Sequence, residues 1–233
     1  MEDTGTGNTG RWLSPARYVD SDHPAVVAFA REAVAGAADD TARAVRLYYA
    51  VRDRIRYDPY AMGRDDVFFR ASDCLRDGRG FCIPKAALLA AAGRAVGLPA
   101  RLSYADVRNH LSTPRLLELL GSDLFIWHGC TEFLLPGPSG GERRWVKCTP
   151  AFNLALCERF GVHPLEFDGS ADSLFHEKTR DGSRHMEYVT DRGAFDDVPV
   201  EDIVREFDAF YPGLFEALEA GRAGDFEREA GGA

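Results

Sequence analysis

Residues 77–99, DGRGFCIPKAALLAAAGRAVGLP, decide the fold of this 233-residue chain. A Gly-rich turn at residues 77–80 runs into an apolar segment that begins at Cys82 and has almost no polar position before Arg94. Residues 97–99 then end the segment, because a glycine after the last turn and a proline beyond it commonly terminate helices. A helix without a polar face is buried on most sides. The stretch therefore predicts a buried central helix that starts at a cysteine.

The flanking segments predict helices before the central helix and strands after it. Apolar residues recur at helical spacing in residues 25–38, and again from Asp39 and Asp40 to near Arg56. A last amphipathic helix is expected at residues 201–220, interrupted at residues 212–213. Four apolar runs are typical of strands, and residues 136–141 form a hairpin loop between the last two: 100–107, 124–128, 131–135 and 144–148. This order predicts an α+β fold with a mostly antiparallel sheet and extra N- and C-terminal helices.

The composition is that of a globular protein and restricts the classes of partner. Hydrophobic residues make up 45% of the chain and charged residues 28%. The 28 Lys and Arg against 37 Asp and Glu leave a net charge of −9, so we expect no nucleic-acid partner and no anionic membrane surface. No apolar stretch approaches the roughly 20 residues that span a bilayer. Because the N-terminus lacks a basic region followed by an apolar one, the expected location is cytoplasmic.

One domain is expected, at residues 11–220. Residues 1–10 are rich in Gly and Thr and are predicted to be a disordered leader, and residues 221–233 to be an acidic, Gly-rich tail. We expect no cofactor and no metal: no phosphate-binding Gly-Lys-Ser/Thr motif follows the turn at residues 77–80, and no calcium-binding loop is present.

The five cysteines are predicted to be unpaired thiols. Their odd number and the absence of a secretory signal argue against a disulfide framework. No Cys-x-x-Cys pair occurs, so a structural zinc site is poorly supported. The cysteines lie at positions 74, 82, 130, 148 and 157.

Cys82 is the candidate nucleophile because it stands where the turn becomes the first turn of the central helix. Unpaired backbone N–H groups and the helix dipole at that position favour the thiolate, which is the reactive form of cysteine. The N–H of Cys82 itself is placed to stabilise an oxyanion. The alternative is that Cys82 is a small core residue, as many unpaired cysteines are.

His128 is the candidate base. A thiol nucleophile needs an imidazole within hydrogen-bonding distance, and that imidazole is normally distant in the sequence. His128 lies on the first predicted strand after residue 120, between Trp127 and Gly129. The alternative is a histidine with a structural role in the strand. The other five histidines lie in loops, before a proline, or in the polar segment after residue 160.

Three segments resemble the core signature of the transglutaminase-like superfamily: LRDGRGFC at 75–82, KA at 85–86 and RAVGLPAR at 94–101. Upstream, AVRDRIRYD at 50–58 is similar to the helix that usually precedes this core. Downstream, Trp127-His128 matches the histidine strand and Trp145-Val146 the start of the next strand. The resemblance covers about residues 40–153. It implies a papain-like core with a Cys–His pair and a third residue that orients the imidazole.

The third residue is where the sequence departs from the family pattern. The family usually has Trp-Val-x-x-Asp-Pro, whereas residues 145–150 read WVKCTP and place Thr149 at the aspartate position. A threonine hydroxyl can accept from an imidazole N–H, but it supplies no negative charge. Asn153 is the alternative, because an amide oxygen orients the histidine in papain-like enzymes. We predict that Thr149 lies nearest the far side of the His128 ring, with Asn153 as the second choice.

Two classes of function follow. The first is a cysteine-dependent acyl-transfer enzyme that attacks an amide or peptide carbonyl through a thioester. Its substrate is a peptide, a protein or a small amide, with water or an amine as the acceptor. The second is a non-catalytic binding or scaffold module on the same fold with an incomplete triad.

Residues 164–176 are expected to pack over the core as a long loop beside the site.

Overall fold

Helix α4, Cys82–Ala95, forms the centre of the computed structural model, which describes residues 6–137 and 141–230. Residues 83–94 are all buried, as the sequence predicts. Three helices pack on α4: α1 (Pro24–Ala33), α2 (Asp40–Arg54) and α3 (Ala71–Asp77). The main sheet packs on it as well, through strands that follow α4 in the chain. This position explains why α4 has no polar face.

The main sheet has four antiparallel strands in the order β5-β4-β3-β6. They are β3 (Ala100–Asn109), β4 (Leu124–Leu135), β5 (Arg144–Cys148) and β6 (Met186–Phe195). A separate two-stranded parallel pair joins β1 (Arg56–Tyr57) to β2 (Arg79–Gly80), directly before α4. The predicted α+β class with a mostly antiparallel sheet is confirmed.

The remaining helices are short and surround the sheet. They are α5 (Pro114–Leu120), α6 (Leu154–Phe160), α7 (Val200–Phe210), α8 (Leu214–Glu219) and α9 (Phe226–Glu229), with 3₁₀ turns at Thr6–Trp12 and Asp66–Phe68. Helices α7 and α8 correspond to the helix expected at residues 201–220 with its interruption. No helix in residues 6–137 and 141–230 is long and apolar enough to cross a membrane.

The sheet differs from the prediction in two places. Residues 124–128 and 131–135, predicted as two strands, form the single strand β4. Gly129 does not break it, because the glycine lets β4 lie against the backbone of α4. Strand β6 was not predicted because it is an edge strand whose residues are mostly exposed, so its apolar residues do not alternate with polar ones. The predicted hairpin loop at 136–141 lies partly outside the described residues, at 138–140.

Both chain ends contain more structure than the composition suggests. Of the expected disordered leader, residues 1–5 lie outside the described part, and Thr6–Trp12 is a 3₁₀ helix whose Trp12 packs edge-on against Trp145. In the expected tail, Phe226 is buried against Tyr57 and makes α9 part of the domain. A buried aromatic side chain anchors each of these segments. Residues 231–233 lie outside the described part.

Lys85 is a fully buried charged side chain inside the central helix. Its Nζ donates to the carbonyl oxygens of Arg52, at 3.1 Å, and of Ile55 at the end of α2. A lysine suits the C-terminal end of a helix, where carbonyl groups lack partners. Burial lowers the pKa of Lys85 to about 7. Lys85 therefore ties α4 to the end of α2 rather than lining the site.

Candidate active site

Cys82 is the first residue of α4, as predicted, and as a residue it is only partly buried. The other four cysteines are buried, and all five are unpaired, as the sequence predicts. The short parallel pair of β1 and β2 leads directly into Cys82, since Gly80 ends β2 and Phe81 is the N-cap of α4. The thiol therefore stands at a defined turn between strand and helix.

His128 is brought to α4 by close packing of two backbones. It is buried in the middle of β4, and the next residue, Gly129, lies directly on the first turn of α4. A Cβ at Gly129 would lie 3.1 Å from Ile83 Cα and 3.3 Å from Cys82 O. Only a glycine allows this approach without a shift of the strand or the helix. The strand that carries the candidate base therefore rests on the helix that carries the candidate nucleophile.

Cys82 and His128 line the same cavity of about 50 Å³. Phe175, from the long loop at residues 164–176, lines it too, and its ring centroid lies 5.1 Å from that of His128. The expectation that this loop packs beside the site agrees with this placement. Tyr188 of β6 lies on another side of the histidine, with ring centroids 6.4 Å apart. The imidazole is thus surrounded by aromatic rings.

These apolar surroundings favour the neutral form of both groups. Burial raises the pKa of the Cys82 thiol to about 11, although backbone N–H groups of Gly129, Ile83 and Cys82 itself act in the opposite direction by hydrogen bonding. Burial lowers the pKa of His128 to about 4. The sequence predicts a thiolate stabilised by the helix N-terminus, and the structure differs. The effect of desolvation on the pKa of Cys82 is larger than the opposite effect of the N–H groups. The pair rests as a thiol and a neutral imidazole.

The structure does not pair Thr149 or Asn153 with the histidine by a hydrogen bond. Thr149 Oγ1 lies 3.1 Å from Cys130 Sγ, since β5 is in register with Thr131 opposite Cys148. Asn153 Oδ1 accepts from the backbone N–H of Tyr57 at 3.0 Å. Within residues 6–137 and 141–230, His128 Nε2 is buried and has no hydrogen-bond partner. Both candidate third residues are thus engaged elsewhere.

The backbone before His128 has an unusual conformation. Trp127 has φ 59°, in the left-handed region that residues other than glycine rarely adopt. The register between β3 and β4 shifts between Ala105 and Val107, next to this position. Asp106 is nearly buried, and its Oδ1 accepts from the Trp127 N–H at 3.0 Å. The bulge and this hydrogen bond hold the conformation that aims His128.

Arg192 and Glu206 hold Asp106 in place. Arg192 binds both oxygens of Asp106, with N···O distances of 2.5 and 3.0 Å. It also donates to Glu206 at 2.7 Å, and Glu206 accepts from the Trp127 indole N–H at 2.9 Å. We call Asp106, Arg192, Glu206 and Trp127 the bulge network. Asp106 lies in β3, whereas Arg192, which binds it, and Glu206, which binds Arg192, lie 86 and 100 residues further along the chain, and no local pattern connects them.

No group of three or more His, Cys, Asp or Glu side chains that could hold a metal ion occurs in the part of the chain that the structure describes. The groups that the site offers for chemistry are the Cys82 thiol, the His128 imidazole and the backbone N–H groups around the thiol. A thiol with a nearby imidazole and N–H donors can form and resolve a thioester.

Comparison with known proteins identifies a family and similar solved structures. A model of the transglutaminase-like superfamily matches residues 27–150. No curated protein gives a significant sequence match. A crystal structure of a candidate cysteine protease from Cytophaga hutchinsonii is similar, with a TM-score of 0.48 and 15% identity. The match covers 82% of this chain but 55% of that chain, so the present chain spans about half of its neighbour.

Proposed function

Because this chain belongs to the transglutaminase-like superfamily, and because Cys82 and His128 line one cavity, we propose that it is a cysteine-dependent acyl-transfer enzyme. Its reaction is attack on an amide or peptide carbonyl through a thioester intermediate. The observation that carries the proposal is the packing of Gly129 on the first turn of α4, which places the histidine strand against the nucleophile helix.

The proposed reaction begins with both groups neutral. His128 takes the proton of the Cys82 thiol as the sulfur attacks the carbonyl carbon. The C–N bond then breaks, the imidazolium gives its proton to the leaving amine, and the acyl group remains on sulfur. Water, deprotonated by His128, attacks the thioester, and the acid leaves as the proton returns to sulfur. An amine in place of water makes a new amide by the same steps.

Backbone N–H groups supply the electrostatic part of this proposal. Those of Gly129, Ile83 and Cys82 act on the thiol in the resting state. Donors in this position would also stabilise negative charge that develops on sulfur or on the carbonyl oxygen. They compensate in part for a histidine that has no carboxylate beside it. Peptides, proteins or small amides are the proposed substrates, with water or an amine as acceptor.

A second candidate function is a non-catalytic binding module on the same fold. Two observations favour it: His128 Nε2 is buried without a partner among the described residues, and the pKa of Cys82 is raised to about 11. Neither is typical of a thiolate–imidazolium pair. Capture of an acyl group distinguishes the two functions, because a binding module has no need of a reactive thiol.

Acyl capture from p-nitrophenyl acetate should occur at Cys82. We expect nitrophenolate release by the wild-type protein and an acetyl group on Cys82 in the intact mass and the peptide map. Cys82→Ala should abolish both, and His128→Gln should slow release by about 10²–10⁴-fold through loss of the base. Cys157→Ala, which removes a buried thiol, is the matched control and should behave as wild type. Equal release by wild type and Cys82→Ala would support the binding module instead.

The pH dependence of Cys82 alkylation should reveal a thiol with a raised pKa. Because burial raises this pKa to about 11, the rate with iodoacetamide should keep increasing between pH 7 and pH 10. Cys82 should still react before the other four cysteines, since it is less buried than they are and lines the cavity. Peptide mapping of each cysteine over this range measures both effects. A plateau near neutral pH would instead indicate a stable thiolate and contradict the neutral pair.

A further inference from the structure

The cavity beside Cys82 is lined almost entirely by apolar side chains. Among the described residues that line it, none is Asp, Glu, Lys or Arg. Away from Cys82 and His128, its walls come from α5, β4, α7 and the segment after β1. Representative residues are Met62, Leu116, Leu120, Phe125 and Phe207. A charged group entering this space would lose its hydration and find no opposite charge.

Two polar groups of the cavity lining, Asn109 Oδ1 and the Tyr211 hydroxyl, already have partners inside the protein. Asn109 Oδ1 accepts from the Leu111 N–H at 3.0 Å. The Tyr211 hydroxyl accepts from the Ile126 N–H and donates to the Leu124 carbonyl, both at 2.8 Å. A polar substrate group that used either of these two would displace an internal hydrogen bond and leave a buried atom unpaired. Most of the remaining lining is apolar and suits an apolar group.

We propose that this cavity binds an aliphatic side chain on the acyl side of the bond that is broken. The proposal rests on the proposed function, since it assigns the acyl group that Cys82 receives. The cavity has a volume of about 50 Å³ and a mostly apolar lining, so an aliphatic side chain that enters it is removed from water without loss of a polar contact. The cavity thus favours leucine-like acyl groups over glutamine, lysine or aspartate.

Alkylation by amino-acid chloromethyl ketones tests this preference. In this reaction the Cys82 sulfur forms a thioether and chloride leaves, so the rate depends on how well the side chain is bound. We expect the N-acetyl-leucine reagent to modify Cys82 on the order of 100-fold faster than the lysine or aspartate reagent, and clearly faster than the glutamine reagent. Each rate is divided by the rate of the same reagent with glutathione, which corrects for differences in intrinsic reactivity between the reagents.

A change in the cavity wall should change the preference. Met62 is half-buried, so Met62→Glu introduces a carboxylate at the wall without filling the core. This variant should lose most of the preference for the leucine reagent and gain rate with the lysine reagent. Leu154→Glu is the matched control, because Leu154 is exposed on α6 and does not line the cavity. It should keep the wild-type preference, and circular dichroism confirms that both variants are folded.

The outcomes separate this proposal from the proposed function. Equal normalised rates for all four reagents, a faster glutamine reagent, or an unchanged preference in folded Met62→Glu would overturn the aliphatic pocket while leaving Cys82 reactive. If no reagent, iodoacetamide included, modifies Cys82 ahead of the buried cysteines, the acyl-transfer function itself is wrong.

Discussion

Asp106→Ala should lower the free energy of unfolding by about 3–5 kcal/mol, because it removes one partner of a nearly buried ion pair. It leaves the Trp127 N–H without its acceptor and leaves Arg192 with Glu206 as its remaining carboxylate partner. The backbone of Trp127 then has less to hold it at φ 59°, and His128 loses its orientation. Turnover of p-nitrophenyl acetate should fall on the order of 100-fold for this reason. Urea unfolding and the initial rate measure the two effects.

The control for Asp106→Ala is Asp202→Ala. Asp202 also binds an arginine, Arg205, but on the surface of α7, where the pair contributes about 0–1 kcal/mol. Asp106→Asn keeps an oxygen that accepts from Trp127 N–H, so it should recover part of the turnover while stability stays reduced. A positioning role for Asp106 is contradicted if turnover in Asp106→Ala falls no further than in Asp202→Ala.

Acid should destabilise the protein strongly between pH 6.5 and pH 4, because two buried histidines must be protonated. Burial lowers the pKa of His128 to about 4 and that of His185 to about 4 as well. Within the described part of the chain, both ring nitrogens of His185 lack hydrogen-bond partners, and its ring lies 5.7 Å from that of Phe175. Between these pH values the unfolded chain binds protons that the folded chain does not. Stability is therefore complete above pH 6.5 and is lost as the pH falls towards 4.

The expected size is about 3 kcal/mol for each histidine, from a shift of about 2.5 units at 1.36 kcal/mol per unit. His185→Phe should lose about 3 kcal/mol less stability than wild type over this range, whatever its stability at pH 7. His163→Phe, at an exposed position, is the control and should follow the wild-type curve. Urea unfolding at half-unit pH steps gives the free energy of unfolding against pH for wild type and for each variant. Parallel curves for wild type and His185→Phe would show that His185 binds its proton equally in both states.

Much of the fold could be predicted because its signals are local. The apolar stretch after Cys82 predicts a buried helix, since burial on all sides needs apolar residues at every position. Antiparallel strands were predicted where apolar runs alternate with turns. Strand β6 and helix α9 were not, because an edge strand with polar residues and a helix of one turn carry little periodicity. Their stability comes from neighbours that are distant in the sequence.

The candidate site divides in the same way. Short segments of sequence were enough to predict Cys82 and His128 as candidates. Cys82 is the first residue of an apolar helix after a Gly-rich turn, and His128 lies in an apolar strand. The sequence did not identify the third residue of the site. The folded chain places Thr149 beside Cys130 and Asn153 beside the Tyr57 N–H. Hydrogen-bond partners of this kind depend on which strand atoms come opposite each other.

The sequence by itself therefore determined the central helix, the positions of β3, β4 and β5 and the two candidate reactive side chains, since each depends on residues close together in the chain. The tertiary structure decided their charge state and surroundings. Desolvation by Phe175 and other distant residues makes thiol and imidazole neutral, and Asp106 with Arg192 holds the strand that carries His128. Solvation and charge pairing depend on everything within a few ångströms, and those neighbours are brought together only by folding.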